Sequence, residues 1–577
     1  MSLTMMPERQ GAFHFTASNC IGCHSCEAAC SEKNGLPPHV AWRKVGFVET
    51  GTFPDYRRIN ISMACNHCDD PVCLKGCPTR AYVKYEDTGA VIQDSMVCFG
   101  CQYCTWVCPY GAPVFDPLAG TVSKCNFCVD RQIVGLKPAC VEACLGHALD
   151  FGPRERLGET HDQVARSIPG FPTPDITRPN VRFAFHGELA DGYGRPDTMN
   201  LAYHANTSAG HAPRVAAPSG TEKQAPLAWK SLRSSESPLV AFTLIAQGVV
   251  GSFAALTGLG AVNVAPAPGL TTPLLTLMCA LLGYGLFTST MHLGRPRYFY
   301  RAMNNLRYSW VSREILFVGG FMTLLLACTG NAFTGLLAPP LSTALGWATV
   351  LFGVTGIYCM VHVYRIPARP FWDHMHTNIA FFKSTLLLGP LAVALALAAG
   401  AALSGLPLPH APWLALTSIA LAATLFGCAA SRAHGQDMAR AGGEAEASLD
   451  RLTKTYGNFQ RLRQWMGVAL AGVLAGASMA DSTPLAAALA GGALVLAMAG
   501  EVVERSLFYL VVVPTTMPGA LFLKNAGFEQ LARDTGLAED RHVGVAPDLH
   551  HGDPPKLPEP PRPAPAIAPV PEPEAAR

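Results

Sequence analysis

Apolar and charged positions divide this chain of 577 residues into two unlike parts. Charged residues are common up to about residue 236, whereas long stretches after that position carry none. The second part holds eight apolar runs, which lie at approximately 238–261, 271–290, 314–335, 342–363, 378–402, 412–430, 465–480 and 485–504. Because about 20 apolar residues cross a bilayer as one helix, the second part predicts an all-α bundle of eight transmembrane helices.

The last two apolar runs are shorter than the others. Only the letters ADSTP separate them, so they could form one re-entrant pair instead; we predict two spans, in a bundle that occupies residues 237–515. Ahead of the bundle, residues 186–236 contain Gly, Pro, Ser and His without a period and predict a linker. After it, residues 516–577 form a tail whose proline-rich end we expect to be disordered.

The first part, residues 1–185, predicts an α+β fold. Residues 81–94 alternate apolar and polar positions around a turn at 86–89, which indicates a β-hairpin. Residues 113–125, with the sequence PVFDPLAGTVSKC, indicate a second hairpin. Short hairpins that alternate with cysteine-bearing turns are typical of a ferredoxin-like domain, which we expect to be duplicated here.

Sixteen of the 20 cysteines lie in this first part, in four groups of four. The spacings are C-x2-C-x2-C-x3-C, C-x2-C-x4-C-x3-C, C-x2-C-x2-C-x3-C and C-x2-C-x11-C-x3-C, and a proline follows the second and third groups. In chain order the groups are Cys20, Cys23, Cys26 and Cys30; Cys65, Cys68, Cys73 and Cys77; Cys98, Cys101, Cys104 and Cys108; and Cys125, Cys128, Cys140 and Cys144.

Such spacings are typical of iron–sulfur ligands. Three thiolates on one turn of chain can hold one cubane, and the fourth, three residues further on, then belongs to the other cluster of a pair. A zinc site typically uses two separated C-x2-C pairs, and only the fourth group could provide them. Disulfides do not suit a long chain that has apolar spans and shows no secretory signal. We predict four [4Fe–4S] clusters; the alternative is a zinc-stabilised, non-redox binding module tethered to a membrane scaffold.

The segments CNHCDDPVC, CFGCQYCTWVCPYGAP and KCNFCVDRQIVGLKPACVEAC make residues 12–185 resemble the four-cluster iron–sulfur subunit of the dimethyl sulfoxide reductase family. The resemblance implies that groups one and four exchange their last cysteines, as do groups two and three. Leu145 departs from the family, which often has proline there, but this residue shapes a turn and ligates nothing. The implied ligand sets are Cys20, Cys23, Cys26 and Cys144; Cys125, Cys128, Cys140 and Cys30; Cys65, Cys68, Cys73 and Cys108; and Cys98, Cys101, Cys104 and Cys77.

The apolar part carries a matching resemblance. Its segments SPLVAFTLIAQ, HLGRPRYFYRAMNNLRYSWVSREI and GEVVERSLFY make residues 236–515 similar to the eight-span membrane anchor of the same family. The chain thus resembles the electron-transfer subunit fused to the anchor. Nothing on it resembles a molybdopterin-binding domain, so the resemblance implies a separate catalytic subunit that carries a molybdenum bis(pterin guanine dinucleotide) cofactor.

Eight spans are more than a simple tether needs and suggest a pocket between helices. Haem b would need histidines deep in the bundle, whereas His292, His362 and His434 all lie at the ends of the runs, so we expect no haem. The clusters must then exchange electrons directly with the mobile carrier of the bilayer, which is a quinone, either menaquinone or ubiquinone.

A quinol site needs an apolar slot, polar partners for the ring oxygens and a group that takes protons. We predict that His292 and Glu314 handle the protons, since histidine titrates near neutrality and carboxylates in a membrane are functional suspects. Arg313, Glu501 and Arg505 are candidates for lining the pocket, and the family resemblance implicates the loop around His292 in quinol binding. The alternative for Glu501 and Arg505 is an interfacial Glu–Arg pair that caps helices.

Charge predicts the orientation. The net charge of +2 gives no indication of nucleic-acid binding. Loops 291–313, 364–377 and 431–464 carry many Lys and Arg residues, whereas the opposite loops carry none, which predicts an iron–sulfur domain on the cytoplasmic side of the plasma membrane. The alternative is that those arginines dock the iron–sulfur domain or bind lipid head groups. Direction stays open: a reductase of S- or N-oxides draws electrons from quinol, whereas a sulfite dehydrogenase delivers them to quinone.

Overall fold

A computed structural model describes residues 10–50, 57–154, 172–184, 224–264, 269–480 and 482–515, all of which belong to one compact unit spanning residues 1–526. Most of the predicted linker, 186–236, lies outside the described residues, and so does the predicted tail, 516–577. The second unit, residues 527–577, falls within that tail.

Short strands and helices alternate along the amino-terminal domain. The described strands are β1 Gly11–Thr16, β2 Lys44–Thr50, β3 Arg57–Met63, β4 Tyr82–Lys84, β5 Val91–Gln93, β6 Val114–Asp116, β7 Thr121–Ser123, β8 Leu149–Pro153 and β9 Val181–Ala184. The described helices of this domain are α1 Ser25–Lys33, α2 Val72–Gly76, α3 Tyr103–Val107, α4 Val129–Ile133 and α5 Ala139–Glu142. The α+β character of this domain follows the prediction, and its duplication stays a prediction.

The strands form one three-stranded sheet and three hairpins. In the sheet, β1 lies between β8, to which it is antiparallel, and β9, to which it is parallel, so that Phe13 has Phe151 and Val181 as neighbours. Phe15 on the same strand packs edge-on against Phe183 at a ring distance of 6.1 Å. The hairpins pair β2 with β3, β4 with β5 and β6 with β7. The hairpins predicted at 81–94 and 113–125 are therefore confirmed.

Helices make up most of the described residues from 237 to 510. They are α6 Ser237–Ala261, α7 Thr271–Met291, α8 Trp310–Thr334, α9 Pro339–Tyr364, α10 Met375–Ser404, α11 His410–Ala441, α12 Gly443–Asp450, α13 Gly457–Ser478 and α14 Thr483–Leu510. Seven of the described helices, α6 to α11 and α14, are long and apolar enough to cross a membrane. The helix α13 is not among them, because its first turns carry Arg461 and Arg463 among other polar residues. An eighth crossing stays a prediction.

Small residues let two of the central helices approach closely. A methyl group on Gly251 of α6 would overlap the backbone of α10, and one on Gly389 of α10 would overlap the backbone of α6. Such contacts are common between helices in membranes, where association depends on close packing rather than on the hydrophobic effect.

Arginines of the loop between α7 and α8 dock the amino-terminal domain. The guanidinium of Arg295 donates to the backbone oxygens of Ser95 (3.0 Å) and Ala119 (3.1 Å). Arg301 donates to the backbone oxygen of Met96 at 2.8 Å. Arg295 and Arg301 therefore dock the amino-terminal domain. From the sequence alone, this role was the alternative to an effect of these arginines on membrane orientation.

Three glycines meet at this contact. The N–H of Gly294 donates to the backbone oxygen of Gly100 at 3.3 Å. A methyl group on Gly294 would overlap the carbonyl of Gly120, and a methyl group on Gly100 would overlap that same carbonyl. Gly100 and Gly120 also have positive φ angles, of 75° and 65°. Both the space and the backbone conformation thus require glycine here.

Polar side chains extend the contact to the end of α2. The amide of Asn305 donates to the backbone oxygen of Cys77 at 2.9 Å, and the hydroxyl of Ser309 donates to that of Gly76 at 2.8 Å. Asn305 and Ser309 are buried, which places the second cysteine group directly against the bundle.

Arg369, in the loop between α9 and α10, makes a further contact. It donates to the backbone oxygen of Trp106 at 3.3 Å. Burial lowers the pKa of Arg369 to about 10, while the carboxyl of Glu236 acts in the opposite direction. The guanidinium therefore stays charged at neutral pH.

Candidate functional site

Each cysteine group begins with the same local turn. The residue two positions after the first cysteine has a positive φ: 69° at Gly22, 42° at His67, 75° at Gly100 and 63° at Phe127. In the last three of these turns the N–H of that residue points at the sulfur of the first cysteine, at 3.4 to 3.5 Å. The turn thus offers a backbone donor to a sulfur that carries negative charge when it binds a metal.

Two cavities gather cysteines from different groups. One is lined by Cys65, Cys68, Cys73 and Cys108. The other is lined by Cys20, Cys23, Cys26 and Cys144. In each case three cysteines belong to one group and the fourth is the last member of another, as in the sets that the family resemblance implies.

The remaining eight cysteines fall into two further sets. The thiol of Cys77 lies within electrostatic range of Cys98, and Cys101 and Cys104 both lie within range of Cys77. Cys30 is similarly close to Cys128 and Cys140, and Cys125 to Cys30 and Cys140. We name the four sets as follows: the outer set, Cys20, Cys23, Cys26 and Cys144; the second set, Cys30, Cys125, Cys128 and Cys140; the third set, Cys65, Cys68, Cys73 and Cys108; and the inner set, Cys77, Cys98, Cys101 and Cys104.

Two buried cations fit an anionic metal–sulfur group. Arg43 is 2% exposed and Lys124 is 3% exposed, and neither forms an ion pair with any carboxylate of the described residues. Arg43 lies within electrostatic range of thiols of the outer and second sets, and Lys124 of thiols of the second and third sets. A buried charge is costly unless an opposite charge compensates it. Clusters held by four thiolates are anionic and would provide that compensation.

The thiols themselves favour a cluster over single ions. Burial and the neighbouring Cys140 raise the pKa of Cys30 to about 12, so bare thiolates would not coexist there at neutral pH without the positive charge of a metal. Around one zinc ion the four sulfurs converge to within about 4 Å of one another. No three thiols, imidazoles or carboxylates of the described residues converge in that way. The donor sets therefore fit [4Fe–4S] clusters, which hold their thiolates further apart.

The four sets follow one another through buried residues. Arg43 is near thiols of both the outer and the second set, and Lys124 is near thiols of both the second and the third. Tyr82, which is 5% exposed, lies within electrostatic range of Cys73 in the third set and of Cys77 and Cys104 in the inner set. The order is therefore outer, second, third and inner. The helix α3, which carries Cys104 of the inner set, packs against the bundle.

Glu314 lies on the bundle side of the contact, near Tyr103, which neighbours the inner set. It is 9% exposed, near the start of α8, and forms no ion pair with any described residue. The hydroxyl of Tyr103, next to Cys104 on α3, is within electrostatic range of its carboxyl. His292 follows α7 and stands two residues before Gly294, which contacts the same cysteine loop. Glu314 therefore adjoins the third cysteine group through Tyr103, whereas the ring of His292 hydrogen-bonds to the backbone oxygen of Ser289 at the end of its own helix. No hydrogen bond joins His292 to Glu314 among the described residues.

Arg313 packs against the loop that precedes α8. Its guanidinium donates to the backbone oxygens of Leu306 (2.9 Å) and Arg307 (2.6 Å) and lies over the ring of Trp310 at 4.4 Å. The side chain thus ties the loop before α8 to the start of the helix, and Glu314, one residue further on, is buried.

Glu501 and Arg505 are buried inside the bundle rather than exposed at its surface. The carboxylate of Glu501 pairs with Lys383 of α10 at 2.5 Å and accepts from the hydroxyl of Ser384 at 2.5 Å. Arg505 donates to the side-chain oxygen of Gln247 at 3.1 Å. The interfacial Glu–Arg cap is therefore wrong: the ion-pair partner of Glu501 is a lysine from another helix.

Two tyrosines separate Arg505 from Glu314. The hydroxyls of Tyr364 and Tyr509 are 2.5 Å apart, and both lie within electrostatic range of Glu314 and of Arg505. The structure thus brings Glu314 and Arg505 to a shared pair of hydroxyls, while Glu501 belongs to the Lys383 network on the other side of Arg505.

Sequence reasoning missed several members of this site. Lys383 was detectable, because a lysine inside the apolar run 378–402 is an unusual intramembrane charge. Tyr103 gives no such signal, since an aromatic residue between two cysteines is as easily a core residue. Arg43 and Lys124 also give none, because their burial depends on strands and turns from distant parts of the chain.

Comparisons with known proteins cover both parts of the molecule. Residues 233–511 match the family described as "DMSO reductase anchor subunit (DmsC)", and residues 58–154 match "4Fe-4S dicluster domain". Over 180 residues the sequence is 40% identical to one of the chains of the anaerobic dimethyl sulfoxide reductase of Escherichia coli strain K12, a match that covers 30% of this chain and 87% of that protein.

Similar proteins also include subunits of other oxidoreductases. The sequence is 36% identical over 154 residues to a subunit of the sulfite dehydrogenase of Allochromatium vinosum, covering 23% of this chain and 64% of that protein. It is 34% identical over 196 residues to a subunit of the tetrathionate reductase of Salmonella typhimurium, covering 33% of this chain and 77% of that protein.

Proposed function

The chain is a member of the dimethyl sulfoxide reductase family, as its iron–sulfur electron-transfer subunit fused to its membrane anchor, and we propose that it carries electrons between a membrane quinone and a separate molybdopterin catalytic subunit. When bound, four [4Fe–4S] clusters would supply one-electron carriers, one in each cysteine set. The observation that carries the proposal is the order of the sets: the inner set adjoins the bundle at Tyr103 and Gly294, and the outer set ends near the surface at Cys23.

Glu314 is the proposed proton acceptor of the quinone site. Oxidation of a quinol to a quinone releases two protons together with two electrons, so the site needs groups that take protons. The carboxyl of Glu314 is buried, has no ion-pair partner among the described residues and faces the hydroxyl of Tyr103. An unpaired carboxyl can accept and release a proton without breaking a salt bridge. His292 is the proposed acceptor of the second proton.

Tyr103, Tyr364 and Tyr509 position the ring in this proposal. Their hydroxyls lie around Glu314 and can each donate to a quinone oxygen or accept from a quinol hydroxyl. Arg505, on the far side of the tyrosine pair, favours partial negative charge on their oxygens. Arg313 acts outside the pocket, by holding the loop before α8.

We place the iron–sulfur domain on the cytoplasmic side. Docking accounts for Arg295 and Arg301, but the basic residues of 431–464 also lie at this end of the bundle, and Lys454 pairs with Asp450 within that stretch rather than with the iron–sulfur domain. These charges support the orientation through the positive-inside rule. The check is proteolysis of residues 1–185 in membrane vesicles: cleavage in inverted but not in right-side-out vesicles is expected, and the reverse pattern would require the opposite orientation.

The direction of electron flow follows the catalytic partner. The similar proteins include subunits named for dimethyl sulfoxide reductase, tetrathionate reductase and sulfite dehydrogenase, so both directions occur among them. With an S- or N-oxide reductase, Glu314 and His292 accept protons from the quinol as it is oxidised; with a sulfite dehydrogenase, they donate protons to the quinone as it is reduced. Co-purification and identification of the catalytic subunit separates the two cases.

The test is the substitution Glu314→Gln in the complete complex. Because the amide keeps the volume but cannot take a proton, quinol-driven reduction of the iron–sulfur centres should fall at least about a hundredfold. Reduction is followed by electron paramagnetic resonance, and chemical reduction with dithionite reports the cluster content, which should be unchanged. Thr323→Val, at an exposed position of the same helix, is the control. If quinol reduces the iron–sulfur centres of the Glu314→Gln variant at the normal rate, the quinone site lies elsewhere.

A further inference from the structure

A polar cavity that Glu314 does not line lies at the iron–sulfur end of the bundle. Its empty volume is about 680 Å³, a figure that includes the open mouth of the cavity. The lining residues fall between 371 and 511, on α10, α11, α13 and α14, and the segment α12 with the helical turn Arg451–Thr455 closes one side. None of them comes from α6 to α9, which include the helix of Glu314.

Buried polar groups without partners line this cavity. His434 is 4% exposed, and neither of its ring nitrogens has a hydrogen-bond partner among the described residues. Arg505 is 3% exposed, and its Nη1 has no partner there either. The side-chain oxygen Oε1 of Gln460 is a third such atom. Buried donors and acceptors are normally satisfied, so three on one cavity point to a ligand that supplies both donors and acceptors.

The walls fit a flat ring. His434 is stacked against His376, with ring centroids 4.5 Å apart and planes within 5°, and Phe371 meets it edge-on at 4.7 Å. Phe508 and Leu507 contribute further apolar surface. Aromatic and aliphatic walls with a few inward polar atoms are what a planar, mostly apolar head group requires.

A phosphate head group fits less well. It only accepts hydrogen bonds, so it would leave Gln460 Oε1 without a donor. It would also lie beside the carboxylate of Glu504, which lines the cavity and is held by Lys383 (2.8 Å) and Arg463 (3.4 Å). A quinone accepts and a quinol also donates, and both are neutral.

We propose that this cavity binds the head group of a quinone or quinol, at a site separate from the one around Glu314. In this site Arg505 Nη1 and a ring nitrogen of His434 contact the ring oxygens, and Gln460 Oε1 accepts from a quinol hydroxyl. The inference rests on the proposed function in one respect, namely that the mobile carrier is a quinone.

Contiguous aromatic contacts join the cavity to the iron–sulfur domain. Phe508, on the cavity wall, is stacked on Trp372 with ring centroids 5.2 Å apart and planes within 15°. Trp372 in turn meets Trp106 at 5.4 Å, and Trp106 lies between Cys104 and Cys108. A head group in the cavity is therefore two aromatic side chains away from α3, which carries Cys104 of the inner set and is followed by Cys108 of the third set, as a redox-active ligand would require.

The experiment is photolabelling of the complete complex in native membranes with an azido-substituted quinone, followed by peptide mapping. In the wild type we expect label within 431–463 or 504–511 as well as near α7 and α8. His434→Phe keeps an aromatic ring but lacks the two ring nitrogens that would bind the head group, and Gln460→Leu lacks the side-chain acceptor. Each should lower labelling of the cavity peptides about tenfold, as expected for the loss of one buried hydrogen bond. Gln436→Leu, at an exposed position of α11, should change nothing.

The outcomes separate this inference from the proposed function. Glu314→Gln should leave the cavity label in place, and cluster content measured after dithionite reduction verifies that each variant is folded. Label confined to the α7–α8 region overturns the second site and leaves the first intact. Cavity label that neither His434→Phe nor Gln460→Leu reduces also overturns it. Label displaced by phosphatidylglycerol vesicles but not by excess unlabelled quinone would identify a lipid site instead, and an absence of label overturns both proposals.

Discussion

At the scale of single residues, two strained turns support each other. His67 and Phe127 occupy the left-handed region that favours glycine, and Gly22 and Gly100 occupy the equivalent positions of the other two cysteine groups. The rings of His67 and Phe127 are stacked with centroids 3.8 Å apart, and both are buried. This packing offsets the backbone cost of about 1–2 kcal/mol for each non-glycine residue. The same stack holds together the turns of the second and fourth groups.

A prediction at this scale concerns Cys77. Its thiol lies with Cys98, Cys101 and Cys104 rather than with the other members of its own group. The substitution Cys77→Ser should therefore damage the cluster of the inner set and spare that of the third set. Electron paramagnetic resonance of the partly reduced complex measures both, and Cys279→Ser, in the apolar run far from the four sets, is the matched control. Selective loss of the third-set cluster would overturn the exchange between groups two and three.

At the scale of elements, loops carry the contact between the two parts of the molecule. The segment between α7 and α8 binds the amino-terminal domain through backbone oxygens of the third cysteine group and of the end of α2. Because the partners are backbone atoms, the contact depends on the path of the chain rather than on particular side chains of the iron–sulfur domain. The close approach of Gly294 to Gly120 sets the distance between this loop and the amino-terminal domain.

The substitution Gly294→Ala tests this contact. The added methyl group would overlap the carbonyl of Gly120, which should cost about 1–3 kcal/mol and loosen the docking. We expect slower quinol-driven reduction of the clusters and faster proteolytic release of the amino-terminal domain, with unchanged cluster content. Gly283→Ala on α7 is the control, since the nearest atom to an added methyl group there is 3.8 Å away. Docking that is unaffected in Gly294→Ala would show that the loop adapts.

At the scale of the whole molecule, the outer set is the end of the series of cysteine sets that is open to a partner. Cys23 is exposed, and Ile21 and Leu145 beside it are 69% and 71% exposed. Large apolar side chains around a solvent-facing electron-transfer site are typical of a protein–protein contact. The catalytic subunit should therefore bind here, on the side of the domain away from the bundle.

The prediction at this scale is that Ile21→Glu weakens binding of the catalytic subunit. A charge placed in the centre of an apolar interface should cost about 1–3 kcal/mol of binding free energy. Co-purification of the catalytic subunit at increasing salt measures the loss, and quinol-driven reduction of the clusters should be normal because the bundle is untouched. Val83→Glu, at another exposed apolar position on β4, is the control. Normal co-purification of the Ile21→Glu variant would place the partner elsewhere.

Local sequence was sufficient for the features that depend on neighbours a few positions away. The cysteine turns, the hairpins at 81–94 and 113–125 and the apolar helices all follow from local spacing, because a thiolate cluster, a two-residue period and a span of about 20 apolar residues are short-range patterns. The family resemblance added the exchange of last cysteines between groups, which spacing alone left open.

Which distant residues meet became visible only in the folded molecule. Lys383 pairs with Glu504, 121 positions away, and the interfacial Glu–Arg cap fails because helices from different parts of the sequence supply the partners. The docking role of Arg295 and the cavity at His434 arise in the same way, from loops and helix ends that folding joins after long intervals. Burial and charge compensation act in space, so no pattern along the chain records them.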